Sequence, residues 1–294
     1  MAAIGEQATK AAWRMPQNIL HTILETKRKE VADLHRRRPL ADWRAAAADA
    51  PPVRNLFAAL SRPPRRLINL IAEVKRASPS AGLICENFDP AAIARQYEAG
   101  GASAVSVLTD AEYFQGSLAY LAAVREAVSL PVLRKDFIID AAQVYEARAA
   151  GADAVLLIAA ALAPGALLDL MILAAELRMT SLVEVHGADE LLRLRSAVGF
   201  PHRAYSLLGI NNRDLTTFEV DIGTTLRLAG MVDESVPIVS ESGIKARADV
   251  ERLRAAGVRG ILVGEALMRS DDIPAAVEAL IGPPPDAEPP PTVP

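Results

Sequence analysis

The chain has 294 residues, of which 51% are hydrophobic and 23% charged, a balance close to that of soluble globular proteins. Its net charge of −4 and pI near 5.7 provide no electrostatic attraction to nucleic acid or to an anionic membrane surface. These values argue against a disordered or fibrous chain, and the length fits either one α/β barrel or two smaller domains.

The composition also bears on the compartment. The first residues, MAAIGEQATKAAWRMPQ, lack the continuous apolar core of a signal peptide. No stretch approaches the roughly 20 uninterrupted apolar residues of a membrane span. Cys85 is the single cysteine, so no intrachain disulfide can form and nothing indicates an oxidising compartment. We therefore expect a cytoplasmic protein with neither a nucleic-acid nor a membrane partner.

The first predicted element is a helix over ILHTILETKRKEVADLH, with Asn18 as its N-cap. Its apolar residues recur at helical spacing, so one face is expected to pack on the body of the protein, while the basic cluster at 27–29 stays mostly in solvent. We predict that residues 1–66 form a helical extension packed on a barrel of residues 67–282. The proline-rich segment 283–294 is predicted to be a disordered tail.

Eight short strands are predicted from residue 67 onward, separated by stretches with helical periodicity. Strict alternation of strand and helix favours a parallel sheet, because parallel neighbours need a crossover connection. The predicted strands cover residues 67–75, 104–108, 131–135, 154–158, 180–185, 206–211, 237–241 and 260–264.

An internal repeat bears on whether the sheet is open or closed. SLPVLRKDF recurs as SVPIVSESG, and RAAGADAVLLI recurs as RAAGVRGILVG, at the same separation in both cases. A weaker copy, EAGGASAVSVL, lies about half that separation ahead of RAAGADAVLLI. With βα units of about 25 residues, the offsets correspond to four and two units, which fits a (β/α)8 TIM barrel. A doubly wound open sheet is the alternative, but no G-x-G-x-x-G turn follows the first strand.

Polar residues fall repeatedly at the carboxyl ends of the predicted strands, where barrel enzymes carry their reactive groups. Glu73 and Lys75 share one face of the first strand, and burying such a pair costs several kcal/mol unless the charges are paired or needed there. Each residue singly is equally consistent with a salt bridge or a helix cap, whereas convergence on one rim favours a site. The other strand-end residues are Lys135, Glu184, Asn211, Glu241 and Ser242.

Two lysines among carboxylates suggest acid–base chemistry. A lysine beside a carboxylate stays protonated and can act as a general acid, and a carboxylate walled by apolar strands gains basicity. Of the scattered histidines, His21, His35, His186 and His202, only His186 lies near the predicted rim, where a structural or supporting role is the better interpretation. The sequence offers no Ser-His-Asp set and no tight cluster of metal ligands, so we expect a reaction with no metal and no cofactor.

The turns after the last two predicted strands indicate an anion site. Gly243 and Gly264 lie where backbone amides can approach a phosphate closely, and barrels often bind phosphate in these two loops. Ser78 and Ser80, after the first strand, offer further donors, although a simple Pro/Ser turn is the alternative. A phosphorylated small molecule is the expected substrate class.

Seven motifs, in their order and spacing, closely resemble those of the indole-3-glycerol phosphate synthase family: IAEVKRASPSAG, VLTDAEYFQGS, PVLRKDFIID, LVEVH, GINNRDL, SESGI and LVGEALM. The resemblance runs from about Asn18 to Gly282. It implies a carboxy-lyase of tryptophan biosynthesis that closes an indole ring from 1-(2-carboxyphenylamino)-1-deoxyribulose 5-phosphate. Carbon dioxide and water are released, with no cofactor.

The resemblance also implies roles for the strand-end residues. Lys135 protonates the ribulose carbonyl oxygen, and Glu184 stabilises the cationic intermediate or takes a proton from it. Lys75 acts as acid in the later dehydration, with Glu73 as base or lysine partner, and the order of these proton transfers stays open. Asn211 holds the substrate hydroxyls, with support from Glu241 and Ser242.

The implied substrate-binding residues form two groups, one for the phosphate and one for the anthranilate ring. The residues that bind the phosphate act mainly through their backbone amides. Among them, Glu265 departs from the serine that many relatives carry at this position. The whole set comprises Ser78, Pro79, Leu108, Phe114, Phe137, Leu156, Arg213, Leu215, Glu241, Gly243, Gly264 and Glu265.

Two other functions stay open at this point. One is a different phosphate-binding barrel enzyme, such as an isomerase of phosphoribosyl compounds or an aldolase with Lys135 or Lys75 as a Schiff base. The other is a catalytically inactive barrel kept as a scaffold, which the retained rim charges disfavour. The sequence is compatible with a monomer or a weak homodimer.

Overall fold

The computed structural model describes residues 19–198, 200, 205–215 and 217–283. The expectations for Asn18 as an N-cap, for His202 and for nearly all of the proline-rich tail therefore lie outside the described residues. None of the helices within the described ranges is long and apolar enough to cross a membrane.

Eight parallel strands close into a barrel in which each strand pairs with the next and the last pairs with the first. Residue Asn69 lies opposite Gly260 on one side, and Ile71 lies opposite Ala104 on the other. The predicted (β/α)8 barrel is confirmed, and the open-sheet alternative is wrong. The strands are β1 Asn69–Val74, β2 Ala104–Leu108, β3 Val132–Lys135, β4 Ala154–Ile158, β5 Thr180–Val185, β6 Ser206–Asn211, β7 Ile238–Glu241 and β8 Gly260–Val263.

The first predicted strand is shorter than expected, since Lys75 lies just beyond the end of β1. The chain then forms a small hairpin of Ala77–Ser78 with Gly82–Leu83, where the sequence predicted only a turn. Gly82 has a φ of +67°, a conformation that glycine adopts without strain. The hairpin places Ser78 beside the end of β1.

Three helices precede the barrel: α1 Ile19–Arg37, α2 Leu40–Asp49 and α3 Leu56–Ser61. The helices between and after the strands form the outer layer, and Asp or Ser side chains cap several of their first turns, as Asp89 and Ser117 do. The outer helices are α4 Pro90–Gly100, α5 Leu118–Ala127, α6 Ala141–Ala149, α7 Pro164–Glu176, α8 Ala188–Arg193 with a π turn at Leu194–Val198, α9 Gly223–Ala229, α10 Arg247–Ala255, α11 Glu265–Met268 and α12 Ile273–Ile281.

The barrel interior is closed by hydrocarbon at the amino-terminal end of the strands. Leu56 and Leu60 of α3 are fully buried there and join a cluster with Ile71, Leu133 and Leu207. The side chain of Asn69 fixes this plug by donating to the carbonyl oxygen of Leu60 at 3.1 Å. Because this end is filled, the opposite end is left as the mouth of the barrel, where the carboxyl ends of the strands meet.

Helix α1 is tied to the loops at that mouth by a group of charges, all buried except Glu30, that we call the α1 cluster: Lys27, Glu30, Asp110, Arg134 and Asp136. Lys27 Nζ lies 2.7 Å from Asp110 Oδ2, 3.0 Å from Asp136 Oδ1 and 2.8 Å from Glu30 Oε2. Arg134 Nη2 lies 3.0 Å from Asp136 Oδ2. The expectation that Lys27 is mostly in solvent is wrong, because its side chain is only 1% exposed.

The burial of Lys27 follows from helix geometry. It lies one turn after Ile23 and two turns before Leu34, so it shares the apolar face of α1, whereas Arg28 and Lys29 point to solvent. Burial alone would lower the pKa of Lys27, but the carboxylates of Asp136 and Asp110 outweigh it and raise the pKa. Lys27 therefore stays charged and holds α1 against two strand-end loops.

Candidate active site

A cavity of about 780 Å³ opens at the mouth of the barrel. Every predicted catalytic residue lines it: Glu73, Lys75, Lys135, Glu184, Asn211 and Ser242. Every predicted substrate-binding residue also lines it: Ser78, Pro79, Leu108, Phe114, Phe137, Leu156, Arg213, Leu215, Glu241, Gly243, Gly264 and Glu265. The structure therefore brings all of these positions together at one end of the barrel.

Five of the lining residues form a group of charges that we call the mouth cluster: Glu73, Lys75, Lys135, Glu184 and Glu241. Within this cluster, Lys75 Nζ lies 2.7 Å from Glu73 Oε1. Burial would raise the pKa of Glu73, but the charges of Lys75 and Lys135 outweigh it, so the pKa is lowered. Glu73 is therefore an anion at neutral pH.

Gly264, just after β8, makes room for the Glu73 carboxylate. A Cβ atom at position 264 would lie 2.5 Å from Glu73 Oε1 and 3.0 Å from Glu73 Cβ. Such distances are too short for unbonded atoms, so any side chain at 264 would displace Glu73. The glycine that the sequence singled out for phosphate binding thus also has a steric reason to be a glycine.

Lys135, at the end of β3, lies between two carboxylates without touching either. Its Nζ is 3.7 Å from Glu184 Oε2 and 3.6 Å from Glu241 Oε2. Burial would lower the pKa of Lys135, but the negative charges of Glu184 and Glu241 outweigh it and raise the pKa. The result is a protonated ammonium group at the cavity wall, which has no ion-pair partner closer than 3.6 Å among the described residues.

The two carboxyl groups beside Lys135 differ in their proton affinity. Burial and the neighbouring charge of Glu184 raise the pKa of Glu241 to about 8. For Glu184, burial acts in the same direction, but Lys135 and His186 outweigh it and lower the pKa to about 2. These two directions make Glu241 the member of the pair with the higher proton affinity.

Gly209 in β6 provides the space for Glu241. A Cβ atom there would lie 2.5 Å from Glu241 Oε1. Within the described part of the chain, neither carboxylate oxygen of Glu241 has a hydrogen-bond partner, and Glu184 Oε2 has none either. Buried polar atoms are rarely left unpaired in a finished core, so these oxygens are available to a ligand or to bound water.

A loop after β6 shapes the side of the cavity near the last strands. Asn211 accepts a hydrogen bond from the amide of Arg213 at 3.0 Å, which turns the chain out of the strand. The buried Asn212 donates to the carbonyl oxygen of Ser242 at 3.1 Å. Ser242 has a φ of +67°, which costs about 1–3 kcal/mol in a non-glycine residue. Asn212, which sequence analysis did not identify, supports this strained turn.

Gly243 follows with a φ of +79°, so two successive residues adopt left-handed conformations at the end of β7. A Cβ atom at 243 would collide with Val220. After the neighbouring strand β8, α11 begins at Glu265 directly after Gly264, and the first amides of a helix have no intrahelical acceptor. The backbone groups of these two turns can therefore face an anion.

Glu265 forms an ion pair with Arg269 at the other end of α11, with its Oε1 3.0 Å from Nε of Arg269. Arg269 and Lys245 also line the cavity, and neither was identified from the sequence. Both lie in or after the predicted phosphate loops, so a search of those loops for basic residues could have found them. Together they add positive charge on the side of Gly243 and Gly264.

The opposite wall of the cavity is apolar. Phe114 and Phe137 lie with ring centroids 6.2 Å apart, and Leu108, Leu156 and Leu215 complete the predicted wall. The α1 cluster holds this wall in place, since Asp110 accepts from the amide of Phe114 at 3.1 Å and Asp136 accepts from that of Phe137 at 2.8 Å. Helix α1 adds three apolar residues that the sequence analysis did not assign to the site: Ile19, Leu20 and Ile23.

The remaining lining residues were also not identified from the sequence. They are mostly apolar and come from the strand ends and from the loops that follow them, where nothing in their residue types marks a site. They are Asp136, Ile158, Phe218, Val220, Ile244, Asp249, Leu262, Val263 and Ala266.

The geometry defines what the site can do. An ammonium donor, an ionised carboxylate and a protonated carboxyl group lie together at the base of the cavity. A basic, glycine-lined seat lies on one side and an aromatic wall on the other. Such a site can bind a molecule that carries an anion at one end and an aromatic ring at the other, and can transfer protons to and from its middle.

Comparison with known proteins places the chain in one family. The family model described as "Indole-3-glycerol phosphate synthase" matches residues 20–280. A protein of that name from Neisseria gonorrhoeae is 52% identical over 90% of this chain and 99% of its own length. Another, from Rhodopirellula baltica, is 48% identical over 90% of this chain and 98% of its own length.

Solved structures support the barrel architecture more distantly. A thiamine phosphate pyrophosphorylase from Pyrococcus furiosus superposes with a TM-score of 0.54 at 19% identity, over 74% of this chain and 95% of that one. An N-acetylmannosamine-6-phosphate 2-epimerase from Clostridium perfringens gives a TM-score of 0.53 at 16% identity, over 68% of this chain and 88% of that one. At such identities the likeness concerns the fold alone.

Proposed function

The chain belongs to the indole-3-glycerol phosphate synthase family, lyases that close an indole ring with decarboxylation, and we propose that the mouth cluster performs this chemistry. The reaction converts 1-(2-carboxyphenylamino)-1-deoxyribulose 5-phosphate into indole-3-glycerol phosphate, carbon dioxide and water, a step of tryptophan biosynthesis. The observation that carries the proposed roles is the position of Lys135 between Glu184 and Glu241, at 3.7 and 3.6 Å.

Substrate binding uses the two ends of the cavity. The phosphate lies against the backbone amides of Gly243, Gly264 and Glu265, with the Lys75 ammonium and the Ser78 hydroxyl as further donors. Lys245 and Arg269 line the same side of the cavity and strengthen the attraction for a dianion. The anthranilate ring packs against Phe114, Phe137, Leu108, Leu156 and Leu215, with Arg213 near its carboxylate. The ribulose chain then crosses the mouth cluster.

Ring closure requires an acid at the ribulose carbonyl. As the ring carbon attacks the carbonyl carbon, a C–C bond forms and the carbonyl oxygen takes a proton from the Lys135 ammonium. The positive charge that develops on the anthranilate portion is stabilised by the ionised Glu184. Loss of carbon dioxide returns the electron pair of the broken C–C bond to the ring system and removes that charge.

Dehydration follows at the carbon that was the carbonyl. The hydroxyl leaves as water after accepting a proton from Lys75, and a carboxylate, Glu73 or Glu184, takes the proton released from the ring system. Asn211 orients the hydroxyls of the substrate chain, and Glu241 and Ser242 support that network. The 2.7 Å contact of Lys75 with Glu73 provides the acid and base as a matched pair.

A Schiff-base aldolase is the alternative that the structure disfavours. A lysine must be neutral to attack a carbonyl, and the flanking carboxylates instead raise the pKa of Lys135. The purified protein should convert the anthranilate adduct into a product with indole fluorescence. Borohydride added with substrate should leave both lysines unmodified. Absence of indole product, or a covalent adduct on Lys75 or Lys135, would overturn the proposal.

The proposal also covers the substrate class, the compartment, the oligomeric state and the role of the N-terminal helices. The substrate is a phosphorylated small molecule. We propose that the protein acts in the cytoplasm, as a monomer or weak homodimer. Residues 1–66 are proposed to act as an extension of the barrel of residues 67–282, because α1 supplies both the α1 cluster and part of the cavity wall.

A further inference from the structure

Glu184, an ionised carboxylate of the mouth cluster, has a second cationic neighbour behind it. Its Oε1 lies 3.3 Å from Nε2 of His186, while its Oε2 faces Lys135. The other ring nitrogen of His186 lies 3.3 Å from Oε2 of Glu190 at the start of α8. Glu190 also accepts a hydrogen bond from the His186 amide at 2.9 Å. The imidazole is thus held between two carboxylates.

We infer that His186 is a positioning residue that keeps Glu184 as the ionised member of the Glu184–Glu241 pair, so that the proton of the pair stays on Glu241. This inference rests on the proposed function, because it concerns the groups that transfer protons to the ring-closing intermediate. His186 itself is not among the described residues that line the cavity. It acts on the reaction only through Glu184.

Geometry distinguishes the environments of the two carboxyl groups. Glu184 has a cation at each oxygen, whereas Lys135, at 3.6 Å, is the one ion-pair partner that the described residues offer Glu241. Without a charged His186, both groups would share the same single ammonium group. The preference of the proton for Glu241 over Glu184 would then be smaller.

The groups that surround Glu184 on the other elements are few. Lys135 comes from β3 and Glu241 from β7, and Glu73 of β1 interacts electrostatically from farther away. Ile158 of β4 and Gly209 of β6, which lie opposite Glu184 in register, carry no charge. His186 is therefore the group that makes the surroundings of Glu184 differ from those of Glu241.

The charge state of His186 agrees with this role. Burial would lower its pKa, but the hydrogen bonds and charges of Glu184 and Glu190 outweigh burial and raise it to about 10. An imidazolium is therefore present throughout the range of neutral pH. A buried His186 that was neutral could orient Glu184 but could not stabilise its negative charge.

The test compares His186→Gln with the wild type in the indole-forming assay over a range of pH. Glutamine keeps an amide donor toward Glu184 but removes the charge, so the pKa of Glu184 should rise by about 1–3 units. We expect the acid limb of the kcat profile to move toward neutral pH, with kcat reduced about tenfold per unit on that limb and KM little changed. A purely structural role would lower stability and leave the profile in place.

The matched control is His35→Gln, which removes another ion-paired histidine, 3.1 Å from Asp140; neither residue is among the described residues that line the cavity. Its pH profile should superimpose on that of the wild type. Glu190→Gln is the second variant and should shift the acid limb in the same direction by a smaller amount, because His186 loses one of its two anions.

A measurement on the wild type avoids any dependence on the folding of a variant. Nitrogen NMR of the histidine rings at pH 8 should show His186 as an imidazolium. A neutral His186 at that pH, or a His186→Gln profile that superimposes on an active wild type, would overturn the inference. Failure of the wild type to form the indole product would instead overturn the proposed function, so the two failures are distinguishable.

Discussion

The α1 cluster and the mouth cluster are two neighbouring groups of charges that differ in the distances between their members. In the α1 cluster, Lys27 meets the carboxylates of Asp110 and Asp136 at 2.7 and 3.0 Å. In the mouth cluster, Lys135 lies 3.6 Å or more from Glu241 and Glu184, and several carboxylate oxygens around it have no hydrogen-bond partner within the described residues. The first arrangement satisfies its charges; the second leaves them available.

The difference indicates what each group of charges is for. A contact ion pair at 3 Å or less holds two parts of the chain together, as Lys27 holds α1 to the loops of the aromatic wall. For a buried lysine whose carboxylates lie farther away, the attraction between the charges does little more than offset the cost of removing the lysine from water. Such an arrangement is expected where a ligand completes the contacts.

The largest expected effect on activity comes from Lys135→Ala. A positioned general acid contributes about 10²–10⁴-fold, so kcat in the fluorescence assay should fall by that factor. The fold should stay intact, and the free energy of unfolding should fall by less than in Lys27→Met, because removal of the lysine also removes its desolvation cost and its carboxylates lie 3.6 Å or more away. The control is Lys29→Ala, a change on the exposed face of α1 that should leave both quantities as in the wild type.

The opposite pattern is expected for Lys27→Met. Removing one partner of a buried ion pair leaves carboxylates uncompensated and costs about 3–5 kcal/mol. Urea denaturation should show a loss of that order in the free energy of unfolding. Arg28→Met, one residue further along and exposed, should cost little. A Lys27→Met protein as stable as the Arg28→Met protein would refute the structural role of the α1 cluster.

The glycine behind the mouth cluster provides a smaller test. In Gly264→Ala the new methyl group would displace Glu73 from Lys75, and a displacement of about 1 Å can reduce kcat about 10²-fold. Gly165→Ala is the matched control, because a Cβ there meets nothing within 4 Å and alanine favours the helix that contains it. Equal kcat values for the two variants would show that Glu73 needs no such space.

The last expected effect concerns the pH dependence of stability. Because burial beside Glu184 raises the pKa of Glu241 from 4.5 to about 8, the folded protein holds a proton that the unfolded chain releases between these values. This contribution to stability is present below pH 4.5 and is lost as the pH rises to about 8. Glu241→Gln should remove that loss, so the variant should gain stability relative to the wild type between pH 5 and pH 9 in urea denaturation. Parallel stability curves would contradict the assignment of the proton to Glu241.

Sequence predicted the mouth cluster better than the α1 cluster, and the reason is physical. A barrel brings all strand ends to one rim, so the positions of Glu73, Lys135, Glu184 and Glu241 along the chain were enough to predict that they meet. Asp110 and Asp136, the two buried partners of Lys27, are loop residues far away in the chain, and the lysine itself looks like part of a solvated basic run. Only its spacing from Ile23 and Leu34 indicated the buried face.

The loops limited the prediction of the site in the same way. The Ala77–Ser78 hairpin, the turn held by Asn212 and the contribution of Ile19, Leu20 and Ile23 to the cavity depend on where loops and α1 come to rest. Strand and helix periodicity contains no such information. His186 and Glu184 are only two residues apart, but their contact did not follow from strand geometry. Alternate residues share a face only within a strand, and β5 ends at Val185, before His186.

Chemical rescue of Lys135→Ala tests the central claim most directly. If the Lys135 ammonium group acts as the general acid, the cavity left by its removal should accept a small alkylammonium ion such as propylammonium. The account predicts that the slow indole formation of Lys135→Ala rises with the concentration of this ion, while Lys27→Ala gains nothing from it. Indole formation by Lys135→Ala at the wild-type rate without added amine would contradict the account.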